Sequence, residues 1–175
     1  AVMFRDIEAV KNYCHISDEE EKALKSWRRP ILILKQKKLL AEQVSNGLNT
    51  IGAMLPYMPV HYMLFKVIKT PVVILTSGNI SDEPIITDDF TAQKKLMPFA
   101  DSLLSYNRQI LNRTDDSVIR IIDNRVSLIR RSRGFVPRPV DIKWNVEGIL
   151  AVGAEQKNSF CIGKGNQGVM SQFIG

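Results

Sequence analysis

The sequence has few of the residues from which metal sites and nucleophilic catalytic sites are usually built. It contains two cysteines and two histidines in 175 residues. Cys14 and Cys161 lie far apart and do not form a metal-ligand set, and nothing in the sequence supports a disulfide between them. His15 and His61 have no partner at metal-ligand spacing, so we expect both to be structural or exposed. There is no Ser–His–Asp or Cys–His arrangement and no Gly-x-x-x-x-Gly-Lys-Ser/Thr phosphate loop.

Long apolar runs are also absent, since each is interrupted well short of the roughly 18 residues that a membrane-spanning helix needs. The first residues lack a basic region followed by a long apolar run, which argues against a signal peptide. With the low cysteine content, this predicts a cytoplasmic protein with reduced thiols and no membrane partner. The apolar fraction is an ordinary 45%, and the length suits one domain, or one domain and part of another.

Positive charge is abundant and unevenly distributed. The formal net charge is +6, which favours an anionic partner without choosing among nucleic acid, nucleotide and phosphate. Much of the excess lies in residues 112–140, which contain no lysine but the following seven arginines: Arg113, Arg120, Arg125, Arg130, Arg131, Arg133 and Arg138. The arginine fork fits phosphate oxygens bidentately, whereas lysine is a point charge. Two interpretations stay open here: an anion site of fixed geometry, or a solvated edge hairpin whose arginines deter aggregation.

The hydrophobic pattern predicts an α/β fold with a twisted mixed sheet. Strands are predicted over residues 1–4, 30–34, 48–55, 72–76, 100–106, 117–122 and 126–131, with residues 72–76 the clearest buried strand. Helices are predicted from the Asp6 cap to residue 13, from the Ser17 capping box to residue 26, from Pro59 to residue 68 and from the Thr87 cap to residue 96. Residues 35–49 are predicted to be loop or weak strand, and Asp123-Asn124 to form a tight hairpin turn. Three short runs after residue 148 predict a small β-meander.

The first candidate site is the run Thr76-Ser77-Gly78-Asn79, which follows a predicted buried strand. Ligands of open α/β sheets bind at the carboxyl ends of strands. Gly78 lets the backbone approach an anion closely, and the side chains of Thr76, Ser77 and Asn79 can hydrogen-bond a phosphate or nucleoside. The alternative interpretation is an ordinary polar turn.

The second candidate site precedes the arginine hairpin. Asp115 and Asp116 are residues that Mg²⁺ favours, but capping of the turn and pairing with Arg113 is the preferred interpretation, and no metal site is predicted. Ser117 is a candidate phosphate or nucleoside contact. Tyr106 and Phe135 do not form a base-stacking pattern, so RNA binding would rest on charge alone.

The order of six motifs resembles the YrdC-like domain of the HypF family, the carbamoyltransferases of [NiFe]-hydrogenase maturation. The motifs begin at Ala1 (Ala-Val-Met-Phe-Arg-Asp), Arg29 (Arg-Pro-Ile-Leu-Ile-Leu), Gly47 (through Pro59), Leu75 (Leu-Thr-Ser-Gly-Asn), Asn112 (Asn-Arg-Thr-Asp-Asp-Ser) and Ile129 (Ile-Arg-Arg-Ser-Arg-Gly-Phe-Val-Pro-Arg-Pro). The tail resembles the opening of the family's Kae1-like domain, although Phe173 stands where that family usually has histidine. The resemblance implies a YrdC/Sua5-like open sheet with flanking helices and a basic concave face. It also implies three parts: a YrdC-like domain at 1–140 that lacks the basic segment before its first strand, a linker at 141–148 and a truncated Kae1-like domain at 149–175.

The resemblance also implies a reaction. In this family ATP and carbamate, released from carbamoyl phosphate, form carbamoyl-adenylate and pyrophosphate, with Mg²⁺ as the expected metal cofactor. The carbamoyl group then passes to the C-terminal cysteine of HypE, on the way to cyanide ligands. The sequence lacks the acylphosphatase part and most of the Kae1-like part, so we expect it to bind nucleotide without completing transfer. The alternatives are a double-stranded RNA or tRNA-binding module and a threonylcarbamoyl-adenylate synthase of the YrdC/Sua5 family.

Such a reaction needs cations that offset the triphosphate charge and orient its α-phosphate. The candidate nucleotide contacts are Thr76, Ser77, Asn79, Ser117, Arg130, Arg131 and Arg133, with Arg130, Arg131 and Arg133 for the phosphates. Adjacent residues of a strand face opposite sides, so at most one of Arg130 and Arg131 is expected to point into the cleft. Arg120 and Arg125 are expected to be surface charge. No catalytic residue is assigned, because carbamate needs no deprotonation by a base.

Overall fold

The computed structural model describes residues 1–81, 83–154 and 158–172. The chain divides into two compact units: residues 1–76 with 116–135, and residues 77–115 with 136–175. The elements of the first unit are β1 (Val2–Phe4), α1 (Ile7–Tyr13), α2 (Asp18–Lys25), β2 (Ile31–Lys35), α3 (Glu42–Ser45), β3 (Thr50–Met54), α4 (Pro59–Val67), β4 (Val72–Ile74), β5 (Val118–Ile122) and β6 (Arg125–Arg130). Those of the second are α5 (Asp89–Leu96), a 3₁₀ turn (Met97–Phe99), β7 (Val140–Asp141), β8 (Leu150–Val152), β9 (Phe160–Lys164) and β10 (Gln167–Met170).

The first unit contains a six-stranded mixed sheet, as the sequence predicts. Its strand order is β4-β1-β3-β2-β5-β6. The pairs β1–β3 and β2–β5 are parallel, and the other neighbours are antiparallel. The hairpin β5–β6 turns at Asp123 and Asn124, which have φ values of 48° and 58°. Two successive positive φ values are typical of a type I′ turn, so the predicted tight hairpin is confirmed.

Local capping signals place the first two helices where they were predicted. The Asp6 carboxylate accepts a hydrogen bond from the Ala9 N–H at 2.8 Å at the start of α1. Ser17 and Glu20 form a reciprocal capping box at the start of α2. Such pairs satisfy backbone donors that the first helical turn leaves open, which is why four residues suffice to mark a helix start.

Helices cover both faces of this sheet. On one face Phe4, Leu32 and Ile51 belong to a buried cluster that includes Val10 of α1 and Leu24 of α2. On the other face Phe65 of α4 packs with Met3 and Met54. Successive strand residues face opposite sides, so the alternation of Met3 with Phe4 divides β1 between the two clusters.

Four predictions about the first 115 residues need correction. Residues 100–106 form no strand and are exposed, and residues 72–76 do not form a fully buried strand. Strand β4 ends at Ile74 on the sheet edge, and Ile74 is 67% exposed. Residues 35–49 include the short helix α3. The cap of α5 is Asp88, not Thr87, because its carboxylate accepts from the Thr91 N–H at 2.7 Å.

The second unit contains a four-stranded sheet of order β7-β10-β9-β8. All its pairs are antiparallel, so the meander predicted after residue 148 is confirmed over β8 to β10. Strand β7 adds to β10 from the end of the predicted YrdC-like segment. The predicted run to residue 174 extends into 173–175, and these residues with Phe173 lie outside the described part of the chain. Across that described part, none of the helices is both long and apolar enough to cross a membrane.

Candidate functional site

The turn that follows β4 is organised by Asn79. Its amide nitrogen donates to the carbonyls of Ile80 and Glu83, each at 3.0 Å. Its side-chain oxygen accepts from the Ser77 hydroxyl at 2.6 Å. Asn79 therefore shapes the loop, while Thr76 and Ser77 are exposed at its start. Their predicted role as nucleotide contacts stays a prediction.

Ser117 joins the start of β5 to the segment that leaves β6. Its buried hydroxyl donates to the Arg133 carbonyl at 2.9 Å and accepts from the Ser132 N–H at 2.8 Å. A parallel bridge between Asp116 and Arg133 lies beside it. The hydroxyl's donor and one acceptor position are thus occupied by backbone, and its predicted contact with a nucleotide stays a prediction.

Arg133 is held by several protein groups at once. Its Nε and Nη2 both donate to Asp116 Oδ1, at 2.9 and 2.6 Å. Nη2 also reaches the Arg29 carbonyl at 2.9 Å, and Nη1 reaches the Arg28 carbonyl at 3.2 Å. The guanidinium lies over the ring of Tyr57, 3.7 Å from its centroid. This is a partly buried ion pair with stacking, which is the setting in which arginine is least replaceable by lysine.

Gly134 brings the turn after Arg133 against the chain that enters β2. It has φ +83°, and a Cβ there would lie 3.0 Å from the Arg28 Cα, Cβ and carbonyl oxygen. Arg28 Nε donates to the Gly134 carbonyl at 3.1 Å, and its guanidinium stacks on Phe135. We call residues 131–135 the arginine turn.

The remaining arginines divide between the turn and the surface. Arg130 and Arg131 are half-buried, and Arg131 Nη2 donates to the Phe135 carbonyl at 3.0 Å. Because β6 ends at Arg130, strand alternation does not govern where Arg131 points. Arg120 and Arg125 are exposed, as predicted. Arg113 donates to the Ile85 carbonyl at 2.7 Å.

Two residues that the sequence did not single out for this region, Tyr57 and His61, lie beside Arg133. The two rings meet edge to face with centroids 4.7 Å apart. Burial raises the pKa of the Tyr57 phenol, and the Asp116 carboxylate adds to the shift. Burial also lowers the pKa of His61, so the imidazole is neutral at pH 7. The only local signal for them was an aromatic and a histidine four residues apart at a helix start.

A protein-bound Mg²⁺ does not fit these residues well. Within residues 1–81, 83–154 and 158–172, no three acidic, histidine or cysteine side chains gather as metal ligands. Asp116, one of the two candidate carboxylates, is ion-paired with Arg133 at 2.6 Å. A metal there would have to displace a charge-assisted pair that is already formed.

Family models match most of the sequence. The Sua5/YciO/YrdC model, described as telomere recombination, matches residues 1–132. The model of the HypF Kae1-like domain matches residues 145–175. The two matches together leave only residues 133–144 uncovered.

Relatives and solved structures agree with these matches. The chain is similar to the probable carbamoyltransferase HypF of Methanocaldococcus jannaschii, with 41% identity over all of this chain and 23% of the relative. It is 37% identical to carbamoyltransferase HypF of Rhizobium leguminosarum bv. viciae, over all of this chain and 24% of the relative. The chain thus spans about a quarter of the length of these curated relatives.

Among solved structures, one of full-length HypF, described in the phosphate- and nucleotide-bound form, matches with TM-score 0.91 and 46% identity. That match covers all of this chain and 28% of the other. A structure of P. abyssi Sua5 complexed with L-threonine matches 75% of this chain and 39% of the other, with TM-score 0.62 and 18% identity, and shows the shared fold alone.

Proposed function

Because this chain belongs to the Sua5/YciO/YrdC family and continues into sequence of the HypF Kae1-like domain, we propose that it binds ATP within a HypF-type carbamoyltransferase. In the proposed reaction a carbamate oxygen attacks the α-phosphorus of ATP. The bond between the α-phosphorus and the bridging oxygen breaks, and pyrophosphate leaves. The products are carbamoyl-adenylate and pyrophosphate. The observation that carries the proposal is the likeness to a HypF structure described as phosphate- and nucleotide-bound.

The two arginines where β6 meets the arginine turn suit a polyphosphate. Arg130 ends β6 and Arg131 follows it; both are half-buried, and Arg131 is held by its hydrogen bond to the Phe135 carbonyl. Arginine binds phosphate through two parallel N–H groups, and a fixed guanidinium loses little entropy when it does so. We assign these two arginines to the phosphates. The residues of the loop after β4, namely Thr76, Ser77 and Asn79, are proposed contacts of the adenylate.

The other participants are proposals of the same kind. Carbamate would derive from carbamoyl phosphate, and the acceptor would be a cysteine thiol of a HypE-type protein. Mg²⁺ would arrive as the counterion of ATP, because the residues above do not offer it a dedicated site. No step of the proposed reaction depends on a metal held by this chain.

Isothermal titration calorimetry on the 175-residue chain tests the proposal, with ATP, AMP and a non-hydrolysable carbamoyl-adenylate analogue as ligands. We expect dissociation constants in the low-millimolar range or tighter, with the analogue binding best because it occupies both substrate positions. Ser77→Ala should weaken all three ligands, since it removes an exposed hydroxyl next to Asn79. If none of the three ligands binds the wild-type chain, the proposed function is wrong.

A nucleic-acid-binding function predicts a different result. Affinity for double-stranded RNA would fall steeply with salt and would be little affected by ATP. Nucleotide binding should instead persist at 150 mM salt and saturate at one site.

A further inference from the structure

We propose that Arg133 is a positioning residue: it clamps the arginine turn so that Arg131 can meet the phosphates, and does not itself bind them. The inference rests on the proposed function, because it removes Arg133 from the three candidate phosphate contacts and leaves Arg130 and Arg131. It assigns to Arg133 a role different from the phosphate contact that the sequence predicts.

The donor inventory of Arg133 supports this role. A guanidinium has five N–H groups. The Nε hydrogen and both Nη2 hydrogens have partners in Asp116 and the Arg29 carbonyl, and one Nη1 hydrogen has a partner in the Arg28 carbonyl. Only one hydrogen is left, and one N–H cannot form the bidentate contact for which arginine is suited.

The acceptors around Arg133 are equally engaged. Asp116 accepts hydrogen bonds from Arg133, and its carboxylate also interacts with the Tyr57 phenol. The Arg133 and Asp116 side chains are 26% and 22% exposed. Moving the guanidinium to a ligand would leave a partly buried carboxylate without its cation, which is strongly destabilising. The ring of Tyr57 further restricts the guanidinium by stacking on it.

The contacts of Arg133 tie together four separate parts of the first unit. They are the entrance to β2 at Arg28 and Arg29, the loop before α4 at Tyr57, the start of β5 at Asp116, and the arginine turn itself. The turn is short and internally bonded: the Phe135 N–H donates to the Ser132 carbonyl at 3.0 Å, and Arg131 donates to the Phe135 carbonyl. A clamp at Arg133 therefore restricts the backbone from which Arg131 projects.

Substitution by lysine separates the two roles. Lysine keeps the charge of Arg133 but cannot reach Asp116 and two carbonyls together. We expect Arg133→Lys to weaken ATP binding about tenfold, the loss expected when charged hydrogen bonds are broken. Tyr57→Phe keeps the stacked ring and should preserve affinity within about threefold, whereas Tyr57→Leu should behave like Arg133→Lys.

A double-mutant cycle measured by calorimetry with ATP decides between positioning and direct contact. If Arg133 acts through Arg131, adding Arg133→Lys to Arg131→Lys weakens binding less than about twofold further. If Arg133 binds phosphate itself, the two losses multiply, and the proposal is overturned. Arg120→Lys, an exposed arginine on β5, is the matched control and should leave the affinity unchanged.

Amide hydrogen exchange without ligand tests the clamp independently of nucleotide binding. The Ser132 and Phe135 amides should exchange about tenfold faster in Arg133→Lys than in the wild type, while core amides of β2 and β3 keep their protection. Unchanged exchange of both amides would overturn the clamp. A wild-type chain that failed to bind ATP would instead overturn the proposed function, and the exchange result would still decide whether Arg133 holds the turn.

Discussion

Replacing Gly134 by alanine perturbs the arginine turn at the point where it touches the chain entering β2. Two costs add. An L-residue at φ +83° pays about 1–2 kcal/mol for the left-handed conformation. The new Cβ would also lie 3.0 Å from the Arg28 Cα, Cβ and carbonyl oxygen. Because two of these three are backbone atoms, relief requires the two segments to separate, at about 1–3 kcal/mol as in other overpacked sites.

Gly47→Ala is the matched control. Gly47 has nearly the same φ, +79°, and nothing lies within 4 Å of its added Cβ. The Gly47→Ala variant should lose only the about 1–2 kcal/mol that an L-residue needs to adopt the left-handed conformation. The difference between the two variants therefore isolates the close approach of Gly134 to Arg28.

The assay is urea unfolding followed by Trp27 fluorescence, in a Trp144→Phe background so that only the first unit is reported. We expect Gly134→Ala to lower the free energy of unfolding by about 3 kcal/mol, roughly twice the loss in Gly47→Ala. Equal losses in the two variants, within about 0.5 kcal/mol, would refute the close packing of the turn on Arg28.

Three further predictions concern groups elsewhere in the chain. Burial raises the pKa of the Cys14 thiol to about 11. Ellman's reagent at pH 7.5 should therefore label Cys161 at once and Cys14 only when the protein unfolds. Rapid labelling of Cys14 in the Cys161→Ser variant would contradict the burial of Cys14. The hydrogen bond from the Ala9 N–H lowers the pKa of Asp6, so the stabilisation by this carboxylate is present above the pKa of the unfolded state, near 4, and is lost as pH falls through the lower pKa of the folded state. Urea unfolding should therefore show that Asp6→Ala lowers the free energy of unfolding by about 1 kcal/mol at pH 7 and by less at pH 2. Burial lowers the pKa of His61, so the unfolded state binds more protons than the folded state, and the free energy of unfolding should fall as pH drops below about 6.5. If the free energy of unfolding of His61→Gln falls with pH as steeply as that of the wild type, His61 is not the cause of the pH dependence.

The parts of the fold that could be predicted from the sequence depend on neighbours close in the chain. The capping box of Ser17 and Glu20 spans four residues, and the Asp123-Asn124 turn is specified by residues tolerant of positive φ. The strand predicted at residues 100–106 failed because an apolar run becomes a strand only where a partner edge is available. Strand β4 forms as predicted, but its position at the sheet edge depends on its pairing with β1, about seventy residues earlier in the chain.

The candidate site likewise combines features that depend on neighbours close in the chain with contacts between distant residues. The abundance of arginine and the exposure of Arg120 and Arg125 could be predicted from pattern and alternation. The contacts of Arg133 could not, because the carbonyls it binds lie 104 and 105 residues away along the chain. A stretch of sequence shows which charges are near one another, but not which of them the fold has already paired.

Arg131 of the arginine turn is proposed to bind the phosphates of a nucleotide, and a comparison of two variants that each lose one positive charge tests this role. Arg131→Ala and Arg125→Ala each remove one positive charge, but Arg125 lies exposed on β6. The measurement is the ATP dissociation constant of both variants by calorimetry at one salt concentration. We expect Arg131→Ala to lose at least about tenfold in affinity, the worth of one charged hydrogen-bonded contact, and Arg125→Ala to match the wild type. Equal losses in both variants would show that ATP responds only to general positive charge and that Arg131 makes no specific phosphate contact.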